Sequence, residues 1–335
     1  MKFGKINSYM LFGGGPLLFE FARRLKGKRM PIFVVTSERH AREIFNAGKK
    51  TSFKNALKRE NIACLISDDI NTDSRVKDKI TKETLGISFG AAWILKKPFI
   101  DSFGGRLLNA HGSRLPMDRG GGGFSWRIMR NDRIGSSLLH KIDPGIDTGN
   151  IIERKEYVFP ASCRVPADYI AYALAQYLIF LDTFIRNVRV GKNFKIIHQK
   201  ESESIYWPRL ATDIHGFIDW NWKREEVERF ISAFDDPYKG ASTFLHDIKA
   251  RIKKCTSVPG RPFHPFQNGL VYRIEKRTIF IAMREGGLKI QSVTDEKGNS
   301  IMGEIRVGER FYTPLKHLEA AKQFRAIYTP HGLKK

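Results

Sequence analysis

Three polar residues in the middle of the chain have types and spacings that suit proton transfer. Asn109 and His111 are two positions apart, so both side chains project from the same face if this segment is a strand. Asp147 lies in a turn rich in Gly and Pro, where a tight loop easily presents a polar side chain. A carboxylate that faces an imidazole commonly fixes the orientation and charge of a proton-transfer group. We therefore expect these three side chains to form one catalytic site.

The same residue types suit the transfer of an acyl group to an amine. That reaction passes through a tetrahedral species with a negative oxygen, so it needs hydrogen-bond donors at that oxygen and a base for the amine proton. The amide of Asn109 donates without titrating, and His111 can donate or carry a proton. Asp147 can orient the imidazole and relay protons, because a carboxylate is a common partner of such a ring.

Two ordered motifs surround these residues. The first reads Asn109, His111, Ser113, Leu115-Pro116 and Arg119-Gly120, and the second reads Asp143-Pro-Gly-Ile-Asp147-Thr-Gly149. Each piece alone is weak, but in this order and at this separation they are specific, and the chain resembles the folate-dependent formyltransferases. That family includes methionyl-tRNA, glycinamide-ribonucleotide and amino-sugar formyltransferases. The resemblance implies 10-formyltetrahydrofolate as formyl donor and Asn109, His111 and Asp147 as catalytic residues; we expect no metal.

The resemblance also implies where the donor binds. In the family, the pterin ring enters an apolar slot and bonds to the backbone of two loops, which match Phe89–Leu95 and Lys141–Asp147 here. The implied cofactor-binding residues are Phe89, Gly90, Trp93, Ile94, Ile142, Asp143 and Gly145. Packing in the core is an equal alternative for Trp93. The implied substrate-binding residues are Ser113, Arg114 and Arg119.

The acceptor amine is less clear than the donor. Asp219-Trp220 and the run from Ala233 to Ser242 resemble the second-domain entry of formyltransferases that act on nucleotide-linked amino sugars. The glycines after Arg119 also depart from the Arg-Gly-Ala-Ala-Pro usual in methionyl-tRNA formyltransferases. We expect a nucleotide-linked amino sugar, with methionyl-tRNA as the alternative. A third alternative, a binding module without catalysis, is disfavoured by the intact catalytic set.

The elements that must position these residues indicate an α/β fold. Continuous apolar runs near residues 6–12, 31–36, 62–66, 85–90 and 105–109 alternate with polar helical segments. This pattern is typical of a doubly wound, mostly parallel sheet with helices on both faces. Ligands collect beyond the carboxyl ends of such strands, and Asn109 and His111 stand at one such end.

The composition changes after a long amphipathic helix predicted between Pro166 and Val190. We expect a catalytic domain over 1–200, a linker over 201–222, and a small β-rich, OB-like domain over 223–335. The helix Lys223–Phe234 should open this last domain. Five short strands are then predicted over 240–246, 248–254, 270–275, 278–283 and 287–294, with Gly-containing turns.

Composition limits the class of protein and its partners. The three cysteines are far apart and form no disulfide or zinc spacing, and no apolar run is long enough to span a membrane. We therefore expect a cytoplasmic protein that binds no membrane, and a homodimer is an open alternative. The net charge of +23 lies mainly in residues 1–199, with 34 Lys and Arg against 18 Asp and Glu. This excess fits a field for an anionic ligand and, equally, a solvated basic surface.

Overall fold

The computed structural model of the protein describes residues 1–46, 50–121, 123–329 and 332–333. Gly122, within the glycine run after Arg119, therefore lies outside the described residues. The strands are, in chain order, β1 Ser8–Gly13, β2 Ile32–Thr36, β3 Ile44–Asn46, β4 Lys50–Ser52, β5 Cys64–Ile66, β6 Thr84–Phe89, β7 Leu107–His111, β8 Arg119–Gly120, β9 Ile134–Lys141, β10 Ile151–Val158, β11 Tyr206–Trp207, β12 Ala241–Leu245, β13 Ile248–Val258, β14 Val271–Glu275, β15 Thr278–Met283, β16 Gly286–Thr294, β17 Tyr328–Thr329 and β18 Gly332–Leu333.

The helices are, in chain order, α1 Gly15–Gly27, α2 Glu38–Arg42, α3 Phe53–Arg59, α4 Ser74–Lys77, α5 Lys97–Ser102, α6 Gly123–Met129, α7 Pro166–Arg189, α8 Thr212–His215, α9 Arg224–Ala233 and α10 Leu315–Gln323. Short 3₁₀ turns lie at Glu201–Glu203 and Pro265–Gln267.

The first part of the chain is built on a seven-stranded sheet in the order β10-β9-β7-β6-β1-β2-β5. The five strands β7, β6, β1, β2 and β5 run parallel to one another. Strand β9 is antiparallel to β7, and the edge strand β10 is antiparallel to β9. The predicted doubly wound, mostly parallel sheet is confirmed. The strands β9 and β10 pair with each other on either side of the Asp147 turn.

Strand β1 shows why its apolar run is continuous. Tyr9 and Leu11 are buried in the core that helices α1, α3 and α7 cover, whereas Met10 and Phe12 are buried in a second core covered by α4 and α5. Because side chains alternate along a strand, apolar residues at every position indicate a strand with helices on both faces.

Helix α7 is the long helix that the sequence predicted, and local signals set its bounds. Pro166 starts the helix with a backbone angle already suited to it. The carboxylate of Asp168 accepts the backbone N–H of Val165 at 3.0 Å, which caps the first turn. Gly191 follows the last turn at φ +71°, a conformation that glycine adopts without steric cost.

The second part of the chain carries a five-stranded antiparallel sheet in the order β12-β13-β16-β15-β14. Its strands match all five predicted segments, and the small β-rich domain is confirmed. Its core also takes in Ile128, Phe159 and Tyr169 from the first part, so the two parts share apolar packing. The divisions at residues 200 and 222 stay predictions. Among the described residues, no helix combines the length and the apolar character needed to cross a bilayer.

Candidate functional site

Strands β7 and β9 bring Asn109, His111 and His140 to one face of the large sheet. Asn109 lies directly opposite His140 in the antiparallel ladder, so both side chains project to the same side. His111 is two residues further along β7 and shares that face, as the spacing predicted. Nδ2 of Asn109 lies 3.1 Å from Nε2 of His140. The buried Tyr177 of α7 donates its hydroxyl to the main-chain carbonyl of His111 at 3.1 Å and so fixes the end of β7.

The turn after β9 places Asp147 against these three side chains. Its Oδ1 is 3.3 Å from Nδ2 of Asn109, 3.8 Å from Nδ1 of His111 and 3.5 Å from Nε2 of His140. Its Oδ2 accepts the backbone N–H of Gly120 at 2.9 Å. Asp147 has φ +54°, in the left-handed region that Asp tolerates better than most residues. The structure therefore brings the predicted Asn109, His111 and Asp147 together and adds His140.

Two glycines permit this close packing. A Cβ on Gly149 would lie 1.8 Å from the carbonyl oxygen of Lys141, so a larger residue would push the turn away from β9. Gly120 has φ +86°, and a Cβ there would lie 2.5 Å from the ring of Tyr206 and 2.8 Å from the carbonyl oxygen of Trp207. Gly120 and Gly149 are thus required by the backbone that surrounds Asp147.

Gln199 joins the Asp147 turn to the segment that contains Arg119. Its Nε2 donates to the main-chain carbonyls of Asp147 at 2.8 Å and Gly149 at 2.7 Å. Its Oε1 accepts from Nη2 of Arg119 at 3.1 Å, and Nη1 of the same guanidinium binds Glu201 at 2.7 Å. The Nε2 of Gln199 therefore holds the turn, and its Oε1 connects the turn to Arg119.

Backbone carbonyls determine where each histidine carries its proton. Nε2 of His111 donates to the carbonyl of Asp118 at 2.9 Å, and Nδ1 of His140 donates to the carbonyl of Lys141 at 2.8 Å. In the neutral rings the lone pairs are therefore on Nδ1 of His111 and Nε2 of His140. Both of these atoms face Oδ1 of Asp147. His111 can accept a proton through Nδ1 alone.

A cluster of buried charges holds the carbonyl to which His111 donates. The carboxylate of Asp118 is nearly inaccessible and accepts from Arg127 at 3.1 Å and from Arg130 at 3.0 Å. The side chain of Arg127 is only 2% exposed, and it also binds Asp132 at 3.1 Å. Arg114 binds the same Asp132 at 2.5 Å. Charge-assisted hydrogen bonds of this kind are strong and directional, so the segment between His111 and Gly120 is rigidly held.

The surroundings of Asp147 keep its carboxyl group ionised. Burial acts to raise the pKa of Asp147, because a charged form is disfavoured away from water. The charge that His111 carries when protonated, the contact with His140 and the N–H of Gly120 outweigh burial. Together they hold the pKa of Asp147 well below its usual range. The site therefore contains a fixed negative charge beside two imidazoles.

The two loops implied for the pterin meet in one apolar cluster. Trp93 and Leu95 belong to its buried core, and Ala91 and Ile142 pack against that core. Ile94 is 83% exposed and Ile146, beside Asp147, is 58% exposed. Among the other residues implied for the cofactor, Phe89 is buried and Gly90 is exposed at φ +60°. Trp93 donates its indole N–H to the carbonyl of Asp68. The carboxylate of Asp143 accepts from the backbone N–H of Gly145 and from the hydroxyl of Thr148.

The residues implied for the substrate have mixed surroundings. Ser113 is half-buried. Arg114 is bound by Asp132, and the buried Arg119 is bound by Glu201 and Gln199. A direct contact between either guanidinium and an acceptor therefore requires an ion pair to open. The binding roles of the three residues stay predictions.

Gln199 was not predicted from the sequence, whereas His140 borders the predicted site in the sequence and ligand contact was one alternative for it. Nothing in the motifs singles out Gln199, which reaches the turn only because the chain returns after α7. His140 had a signal in the sequence, because the segment before the Asp147 turn reads as a strand. If that strand pairs antiparallel with β7, His140 comes beside Asn109.

Comparison with known proteins agrees with this geometry. Residues 210–305 match the family model "Formyl transferase, C-terminal domain". A curated relative, the methionyl-tRNA formyltransferase of Fervidobacterium nodosum, is 28% identical over 199 residues, which are 58% of this chain. The chain spans about 60% of the length of that relative.

Two solved structures have a similar fold. The N-formyltransferase from Helicobacter canadensis, in complex with folinic acid and dTDP-3-aminofucose, aligns with a TM-score of 0.63 and 17% identity, over 86% of this chain and 100% of that one. The sugar 3N-formyl transferase WlaRD, in the presence of dTDP and 5-N-formyl-THF, aligns with a TM-score of 0.62 and 19% identity, over 86% and 98%. The resemblance seen in the motifs is confirmed: residues 210–305 match the formyltransferase C-terminal domain, and the fold is that of these two N-formyltransferases.

Proposed function

We propose that the protein transfers a formyl group from 10-formyltetrahydrofolate to the primary amine of a nucleotide-linked amino sugar. The observation that carries the proposal is the convergence of Asn109 and His111 on Asp147, whose Oδ1 lies 3.3 Å from Nδ2 of Asn109 and 3.8 Å from Nδ1 of His111. These are the three residue types that acyl transfer to an amine needs, and the motifs that contain them are those of formyltransferases.

Each side chain has a distinct part in the reaction. Asp147, held ionised, stabilises positive charge on His111 as Nδ1 takes the proton of the attacking amine. The carbonyl of Asp118 keeps the other ring nitrogen protonated, so Nδ1 is available as the base. Asn109 directs its amide N–H groups into the site and can redirect one toward a developing oxyanion. When bound, the folate would supply the formyl group and would leave as tetrahydrofolate, its nitrogen taking the proton that His111 received from the amine.

The described residues fit a folate. The two loops implied for the pterin share one apolar cluster, so they lie close enough to form two walls of a slot. The exposed side chains of Ile94 and Ile146 present apolar surface at these loops, which a flat heterocycle would remove from water. Gly90, exposed and at φ +60°, leaves its backbone open to approach.

Two observations favour the sugar nucleotide. Two sugar N-formyltransferases align over 86% of this chain with TM-scores of 0.62 and 0.63, whereas the methionyl-tRNA formyltransferase from Clostridium thermocellum aligns over 76% of it with a TM-score of 0.50. The C-terminal part, residues 200–335, has 24 Lys and Arg against 17 Asp and Glu, a small excess for a domain that must neutralise many tRNA phosphates. Methionyl-tRNA is the second candidate, because the curated relative with 28% identity has that name.

A product assay tests the proposal. The full chain is incubated with 10-formyltetrahydrofolate and, separately, with a panel of nucleotide-linked amino sugars and with methionyl-tRNA, and the mass of each acceptor is followed. We expect the mass of one formyl group to be added to an amino-sugar nucleotide. Product on the tRNA alone would replace the proposed acceptor, and absence of product on every amine would overturn the proposal.

A variant separates this site from a contaminating activity. His111→Asn removes the base and should lower kcat by about 10²–10⁴-fold, the usual contribution of a general base. His246→Asn is the matched control, because that side chain is 64% exposed and lies in the second part of the chain. Equal activity of the His111 variant and the control would refute the mechanism.

A further inference from the structure

His111, His140 and Asp147 also have the geometry of a metal site. One ligand atom of each residue lies within 4.8 Å of the others. The shortest separations are 3.5 Å from Nε2 of His140 to Oδ1 of Asp147 and 3.8 Å from Nδ1 of His111 to the same oxygen. An ion about 2.0–2.1 Å from each ligand atom requires such separations of roughly 3–3.5 Å, so small side-chain rotations suffice.

The outer nitrogens of both rings are held as they are in metal proteins. A histidine that binds a metal nearly always donates its other N–H to a carbonyl or carboxylate, which fixes the ring and directs the lone pair inward. His111 does so to the carbonyl of Asp118 at 2.9 Å and His140 to the carbonyl of Lys141 at 2.8 Å. Both inward lone pairs face Asp147, so the site needs no change of tautomer to receive a cation.

The ligand set selects the class of ion. Two imidazole nitrogens and one carboxylate oxygen suit Zn²⁺, Co²⁺, Ni²⁺ or Fe²⁺, whereas Mg²⁺ and Ca²⁺ prefer oxygen ligands. Three protein ligands leave at least one coordination position for water. The sequence predicted no metal because these ligands come from separate segments without a metal-binding spacing.

Asn109 opposes the binding of an ion. Its amide nitrogen lies 3.1 Å from Nε2 of His140 and 3.3 Å from Oδ1 of Asp147, so its two N–H groups occupy lone pairs that a metal would use. An ion can enter only when this amide turns away. An ion in the site would in turn occupy Nδ1 of His111, the atom that the proposed reaction uses as a base.

We propose that His111, His140 and Asp147 bind one divalent transition-metal ion of the zinc type, and that this ion and formyl transfer exclude each other. The exclusion rests on the proposed function, whereas the binding does not. Zn²⁺ is thus a reversible inhibitor at the catalytic residues themselves, and Asn109 limits its affinity.

The experiment is a titration of the full chain, stripped of metal with a chelator, with Co²⁺ as a coloured probe and Zn²⁺ as a competitor. We expect visible absorption from one Co²⁺ per chain, which Zn²⁺ abolishes. Asp147→Ala and His140→Ala each remove a ligand and should weaken binding by more than about 100-fold, beyond the effect of losing an outer partner. His246→Ala, on the surface, should leave binding unchanged.

Asn109→Ala gives a result that misfolding cannot imitate. Loss of the competing N–H groups should tighten Co²⁺ binding by about tenfold, because two hydrogen bonds no longer need to be broken. Absence of a cobalt spectrum in the wild type, or equal affinity in the Asp147 variant and the surface control, would overturn the metal site. Weaker binding in the Asn109 variant would overturn the competition with the amide.

The formyl-transfer assay tests the exclusion separately. Zn²⁺ at concentrations that saturate the cobalt-competition signal should abolish product, and a chelator should restore it. Undiminished transfer at saturation would refute the exclusion and leave the measured binding intact. If the metal-free protein forms no product on any amine, the proposed function fails while the cobalt titration still reports on the metal site.

Discussion

The substitution Gln199→Leu tests whether the turn that carries Asp147 must be held in place. Gln199 donates to two carbonyls of that turn, at 2.8 and 2.7 Å. Each such bond contributes about 0.5–1.5 kcal/mol net, so the turn loses about 1–3 kcal/mol of restraint while the side-chain volume is kept. If the transition state needs the held position, kcat falls by about 5–150-fold, since 1.36 kcal/mol corresponds to a factor of ten.

The assay is steady-state kinetics with the acceptor that the product assay identifies, together with urea unfolding as a function of pH. The main loss should be in kcat, because Asp147 acts on groups that are already bound. The pH dependence of unfolding adds a second readout. A loosened turn weakens the bond from Gly120 N–H to Asp147, so the pKa of Asp147 in the folded protein moves up toward its ordinary value and less stability is lost on acidification.

The matched control is Gln291→Leu, an exposed glutamine of β16 that should leave both quantities unchanged. Wild-type kcat together with a wild-type loss of stability on acidification in a folded Gln199→Leu protein would refute the reasoning. It would mean that Asp147 is positioned by the Gly120 N–H and Asn109 alone.

Three further predictions concern stability, each measured by urea unfolding. Because the pKa of Asp147 is lowered in the folded protein, its ionised form stabilises the fold at pH values above the unfolded pKa of about 4, and this stabilisation is lost as the pH falls. The wild type should therefore lose more stability than Asp147→Asn between about pH 5 and 3. Equal losses in the two proteins would contradict the prediction. Gly149→Ala meets a backbone oxygen 1.8 Å from its Cβ and should cost about 1–3 kcal/mol or more, whereas Gly303→Ala meets nothing within 4 Å and should change little. Arg127→Met leaves the buried carboxylate of Asp118 without its most buried partner and should cost about 3–5 kcal/mol; a loss below about 1 kcal/mol would show that the pair is not needed.

Local patterns were sufficient to predict the sheet and the long helix. Apolar runs without alternation predicted strands covered on both faces, and β1 alternates between two cores as that requires. Pro166 and Gly191 marked both ends of α7. In the second part, all five strands were predicted, although the turns His246-Asp247 and Lys276-Arg277 contain no glycine. These features depend on neighbours in sequence, which is why one sequence sufficed.

The parts of the site that the sequence did not predict depend on contacts between distant segments. The pairing of β7 with β9 is antiparallel in an otherwise parallel region, and that register brings His140 to Asn109. Gln199 reaches the Asp147 turn only after the chain has crossed the sheet through α7. A motif specifies residue types at a site. The groups that hold the motif in place can lie in distant segments of the chain, which only the tertiary fold brings near.

The charges around the site show how such support limits function. Arg114, Arg119 and Arg127 lie close to the catalytic residues in sequence, and all three are bound by carboxylates. Their positive charges are therefore committed to the fold, and an anionic acceptor gains little from them by direct contact. The excess of positive charge in residues 1–199 belongs to other lysines and arginines, and it fits a field for an anionic ligand and a solvated basic surface equally. The buried arginines support the site instead, because Arg127 binds the carboxylate of Asp118, whose main-chain carbonyl accepts from His111.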